Sequence, residues 1–163
     1  MNIVFRLLVI ASLVLPFAAC KKEEAPQQNE AKVAPPLPTS SEQKDWKPYL
    51  EYKITPHMGG ITSSPYVYFL PNTDAEDFEG KYQRQLEKLQ ADLGRGMTEG
   101  VMLVFASPAQ EKEVEMIETA FKQVQPGTMK GVKVVFIGTP ILGERVKVAV
   151  EPAGVTYIFE EAK

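Results

Sequence analysis

One cysteine and one histidine are all this 163-residue sequence offers to chemistry that depends on those side chains. The histidine sits in Thr55-Pro56-His57-Met58-Gly59-Gly60, and the serines nearest in kind to a nucleophile are Ser63, Ser64 and Ser107. A serine hydrolase needs its nucleophile on a sharp strand-to-helix turn, and none of the three carries that surrounding sequence. A lone histidine in a Pro/Gly loop reads as a surface residue. Met58 beside it suggests a copper ligand pair, but Met97, Met102, Met116 and Met129 are scattered rather than clustered, and Met102 and Met116 read as core. Asp74, Glu76, Asp77 and Glu79 supply carboxylates for acid–base work, yet their crowding suits a helix N-terminus, where the dipole favours negative charge. The stretch Gly94-Arg95-Gly96-Met97-Thr98-Glu99-Gly100 has the glycines of a phosphate loop in inverted context. Phosphate cradles follow a strand and open a helix, whereas this one follows a helix. The sequence therefore predicts a protein that is not an enzyme, with no cofactor and no metal. A net charge of -3 gives no electrostatic case for nucleic acid.

The cysteine has a different use. Arg6 precedes an apolar run over residues 7–19, which is shorter than the roughly 20 residues of a spanning helix and ends in Phe17-Ala18-Ala19-Cys20. Small residues before a cysteine at the end of a short apolar run resemble the lipobox of bacterial lipoproteins. That resemblance covers residues 1–21 and departs from the family at Phe17, where an aliphatic residue is usual. It implies removal of residues 1–19, attachment of diacylglycerol to the Cys20 thiol, and acylation (palmitate-type) of the new amine. The partner so implied is a lipid bilayer, held through acylated Cys20, since two or more chains anchor durably where one does not. Lys21, in place of the aspartate common in inner-membrane members, implies the periplasmic face of the outer membrane.

Residues 20–45 contain Pro26, Pro35, Pro36 and Pro38, no aromatic side chain and no apolar periodicity. Such a segment cannot offset its conformational entropy by burial and is expected to be a disordered tether. Fully extended it reaches about 75 Å. After this segment aromatics return abruptly at Trp46, so one globular domain is expected over 46–163. Loss of Arg6 with the signal leaves 17 basic and 21 acidic residues, a net charge of -4.

What positions any site is the pattern inside that domain. Residues 66–70, 101–106 and 132–137 are unbroken apolar runs, the mark of strands covered on both faces. Phe78, Tyr82, Leu86, Leu89 and Leu93 trace one helical stripe, which Thr73 or Asp74 can cap. Val114, Ile117, Phe121 and Val124 trace another, opened by Ser107-Pro108-Ala109-Gln110 as cap, first-turn proline and capping-box residue. Val146, Val148 and Val150 alternate with Arg145, Lys147 and Ala149, which predicts a strand, turned at Pro152-Ala153-Gly154 into a last strand over 155–159.

The predicted fold is a small two- or three-layer α/β domain of order β-α-β-α-β-β-β. It has a parallel core, a C-terminal antiparallel hairpin and an extra edge strand over 49–55. A thioredoxin-like arrangement is the alternative. Open parallel sheets bind ligands beyond the carboxyl ends of their strands. That places a ligand or partner site at Asn72, Asp74, Ser107 and Thr139, and a strand-addition edge at Arg145, Lys147, Thr156 and Glu160. The expected function is a periplasmic protein-binding module, an envelope assembly factor or an immunity or inhibitor protein, whose partner is an envelope or secreted protein. The alternative is an envelope hydrolase or small-ligand binder using the strand ends.

Overall fold

A computed structural model describes residues 34–163, which lie in one compact unit, Val33–Lys163. The signal segment, Cys20 and the tether up to residue 33 lie outside the described residues. Eight elements follow in strict alternation: α1 (Gln43–Ile54), β1 (Tyr66–Tyr68), α2 (Phe78–Gly94), β2 (Met102–Ala106), α3 (Gln110–Phe121), β3 (Lys133–Gly138), α4 (Pro140–Val150) and β4 (Thr156–Glu161). The four strands form one sheet in the order β1-β2-β3-β4, every neighbouring pair parallel.

The sheet has three layers because each strand must be covered twice. Residues Tyr68, Leu103, Phe105, Val134 and Phe136 face α2, α3 and α4, which pack together on one side. The alternate residues Phe69, Met102, Val104, Val135 and Ile137 face Trp46, Tyr49 and Leu50 of α1 on the other. Every residue of β2 is buried, as a central parallel strand requires.

The class is α/β as expected, and the three apolar runs are strands, but three finer expectations are overturned. The C-terminal antiparallel hairpin is absent from the described sheet. Residues 140–150 form α4, and β4 then pairs parallel with β3, Phe136 opposite Phe159. The helix buries Leu142, Val146 and Val150, four residues apart, while Val148 is 72% exposed. Alternating valines sample a period of four as readily as a period of two, and Thr139-Pro140 supplies the first-turn proline of a helix. The thioredoxin-like alternative fails on the same point, since no described strand is antiparallel to another. Residues 49–55 are mostly helix, not an edge strand. Trp46, Tyr49 and Leu50 at spacings of three and four bury one helical stripe despite Pro48 within the helix. That helix begins at Gln43, before the expected domain start at 46, and Leu37 also packs on its core.

The helical phase of α4 is testable. In a hairpin Val146 and Val148 would point the same way. In the helix, Val146→Ala should cost about 2 kcal/mol and Val148→Ala less than about 0.5 kcal/mol, measured by urea unfolding. Equal costs would return the hairpin.

Candidate functional site

The strand ends converge as their sequence suggested, though not as one site. Asn72 and Thr139 line a shallow cavity of about 310 Å³ together with the first residues of α3, Pro108 to Lys112. Ser107 is 1% exposed and is used up. Its hydroxyl donates to the Leu70 carbonyl at 2.8 Å and accepts from the Ala109 N–H at 2.8 Å, pinning the end of β2 to the end of β1. Asp74 is exposed and does not line that cavity. The expected caps also differ. Asp77, at a left-handed φ of 55°, precedes α2, and Gln110 closes no capping box, because its side-chain carbonyl accepts from the Thr139 N–H at 3.0 Å and ties α3 to α4.

Under this surface lies Glu113 of α3, fully buried, with no hydrogen-bond partner on either carboxyl oxygen. Burial pushes its pKa well up, and the Ala106 backbone amide, too poorly placed for a full hydrogen bond, offsets only part of this. Burial thus favours the protonated form of this side chain in the folded protein. A clue was present in its spacing, since Glu113 stands three, four and seven residues before the buried Met116, Ile117 and Ala120.

His57 is a structural residue. Its Nε2 meets Glu160 of β4 at 2.8 Å, and Lys53 meets the same carboxylate at 3.3 Å. Lys133 donates to the carbonyls of His57 and Gly59 at 2.8 and 2.6 Å. Ser63 and Ser64 are exposed, and Asp74, Glu76, Asp77 and Glu79 are all turned to solvent. Among the described residues no group of three or more His, Cys, Asp or Glu is placed to hold a metal ion. The glycine-rich loop ends α2, with Gly96 and Gly100 at positive φ, at the opposite end of the sheet from Asn72 and Thr139. The expected strand-addition residues do not share an edge. Arg145 is bound by Glu111 and Glu118 of α3, Lys147 meets Glu151, and only Thr156 and Glu160 lie on β4.

A larger concavity lies elsewhere, between α1 and β1. One face of α1, from Gln43 and Lys44 through Lys47, Leu50 and Glu51 to Ile54, stands across from Ser64, Pro65 and Val67 and encloses about 610 Å³. A second hollow of about 230 Å³ continues past Gln43 over Phe69 and Pro71, walled by Ser41, Glu42, Lys81, Arg84 and Gln85. Val67 of β1 and then Phe69 and Pro71 of the segment that continues it floor the two hollows at every second residue.

β1 itself has β2 on one side and no strand on the other. On its α2 face, Tyr66 is 38% exposed, and Lys88 lies 5.5 Å from its ring centre and 4.5 Å from that of Tyr68. Asp92 holds this arrangement, accepting from Tyr68 Oη at 2.8 Å, Lys88 at 2.7 Å and Arg95 at 2.8 Å. Burial alone would raise the Asp92 pKa, but these donors prevail and hold it below the usual carboxylate range. The groove thus combines an apolar floor with a free backbone edge, and the Asp92 cluster lies on the other face of the same strand. No protein-family model matches this chain, and no curated protein or solved structure matches it either.

Two substitutions test these assignments. Ser107→Ala strands the Leu70 carbonyl and the Ala109 amide and should cost about 1–3 kcal/mol, with no other phenotype, by urea unfolding. For Glu113, the folded state keeps a proton that the unfolded chain releases above the ordinary glutamate range, so stability is lost as pH rises. Glu113→Gln should match the parent near pH 4 and exceed its Tm by about 3 °C or more near pH 8. A gap that does not grow with pH would show that Glu113 is ionised in the fold.

Proposed function

We propose that this chain is a lipid-anchored lipoprotein at the periplasmic face of the outer membrane, whose folded domain is a non-enzymatic protein-binding module. The observation that carries this reading is the groove between α1 and β1. An apolar trough beside the free edge of a strand is the geometry by which an extended partner segment docks, its main chain bonding the edge and its side chains filling the trough.

Two further features support it. The lipobox-like end of the apolar run at Cys20 supports the anchor. No described helix is long and apolar enough to cross a membrane. The only histidine is committed to Glu160 and the buried Ser107 hydroxyl to backbone groups, which argues for binding rather than catalysis. The partner is an envelope or secreted protein, and the role is that of an assembly factor or an immunity or inhibitor protein.

The test places a photo-reactive phenylalanine derivative at Lys47 or Ser64, both exposed in the groove, and at Val148 on the far side of α4 as control, in cells of the native host. The expected result is one discrete protein adduct from both groove positions and none from Val148. Adducts from all three, or from Val148 alone, refute docking at the groove. Mass spectrometry of the same protein should find Cys20 as the acylated N-terminal residue; a free thiol there removes the anchor.

A further inference from the structure

Resting on that reading of the groove, we propose that its occupant is an extended, acidic segment with alternate apolar side chains, added to β1 as a fifth strand. The shape comes from the floor. Two hollows joined at Gln43 follow one strand, with Val67, Phe69 and Pro71 presented at every second residue. A bundle or a compact ligand has no use for that line, whereas a strand laid against β1 puts every second side chain into it. Its other side chains then face Tyr66 and Lys88 across the sheet.

The charge comes from the rim. Lys44, Lys47, Lys81 and Arg84 line the two hollows against Glu42 and Glu51, an excess of cations on a chain whose net charge is -3. Arg84 is held by Asp77 at 2.8 Å, and Lys47 reaches Glu51 only at 3.9 Å. Among the described residues Lys44 and Lys81 have no ion-pair partner, so both remain available to an incoming carboxylate.

The opposite edge makes the contrast. β4 carries Glu160 and Glu161, and Lys53 already donates to the outer carbonyl of Glu161 at 2.8 Å. A lysine laid over an edge strand in this way occupies a backbone acceptor that an added strand would need. The cations beside β4 are already taken, Lys53 by Glu160 and Lys163 by Glu161, so an acidic strand is drawn to β1 instead. A second copy of this chain does not fit the same groove, because two copies meeting there would bring their lysines together.

The probes are fluorescein-labelled, capped octapeptides: alternating valine and glutamate, alternating valine and lysine, and the glutamate peptide with its edge-facing amides N-methylated. Binding to the full chain is read by fluorescence anisotropy and by backbone amide shifts. We expect the glutamate peptide to bind at least tenfold more tightly than the lysine peptide, to weaken with salt, and to lose binding on N-methylation. Its amide shifts should centre on residues 66–70. The triple variant Lys44→Glu/Lys47→Glu/Lys81→Glu, all exposed positions, should keep its Tm and lose or reverse the preference. Equal binding of both charged peptides, survival after N-methylation, shifts centred on β4, or no binding at all each overturn the proposal. Discrete groove adducts in cells together with no bound peptide would leave the docking reading standing and sink only the acidic strand. A bound peptide with no adducts would do the reverse.

Discussion

A parallel sheet has to be dry on both faces, and here three of the four helices are spent on one of them. Successive parallel strands laid side by side in chain order send α2, α3 and α4 to the same side. The second face then depends on α1 alone. Trp46 carries much of this, 2% exposed, its ring set edge-on to Tyr49 and Phe69 at 6.1 and 5.5 Å and its indole N–H given to the Ser40 carbonyl at 2.8 Å. Such packing explains how a helix interrupted by Pro48, a residue that costs about 3 kcal/mol in a helix interior, is nevertheless formed. Without α1, Met102, Val104, Val135 and Ile137 would face water.

One helix is also narrower than the sheet it covers. A helix with its side chains is about 10–12 Å across, and four strands at about 4.8 Å spacing are wider. The shortfall is resolved differently at the two edges. Towards β4 it is closed by charge, with Lys53 and His57 on Glu160 and Lys133 strapped to the loop after α1. Towards β1 it is left as the groove. The candidate site is thus a by-product of the winding order, not an insertion grafted onto the fold. The same winding explains why the strand ends hold only a shallow cavity. Ligand crevices in open sheets form where strand order reverses, and this sheet has no reversal.

Much of this was legible in the sequence, and the failures have physical causes. The strands at 66–70, 101–106 and 132–137 and the stripes of α2 and α3 were visible because burial on two faces, or on one helical face, leaves an unambiguous spacing. α4 was misread because Val146, Val148 and Val150 fit both periods. The Thr139-Pro140 start was the available arbiter. α1 was misread because Tyr49, Tyr52 and Ile54 look strand-like unless Trp46 and Leu50 are included. The groove was lost with it, since its wall exists only if 43–54 is a helix. Asn72 and Thr139 line one cavity, whereas the capping signal at Ser107 belongs to a hydroxyl that pins two strands. Glu113 was hidden by its position, because an acid in a first helical turn usually faces water.

The chain enters the domain at a sensitive place. Ser40 receives the Trp46 indole, and the Ser41 hydroxyl accepts from the Asn72 backbone amide at 3.1 Å, so the residues just before α1 are stitched both to that helix and to the far end of β1. Any traction arriving from the N-terminal side is borne first by these two bonds. Ser41 and Glu42 are also a wall of the smaller hollow. Force applied to the chain ahead of Ser40 therefore acts on the same short stretch that shapes the smaller hollow.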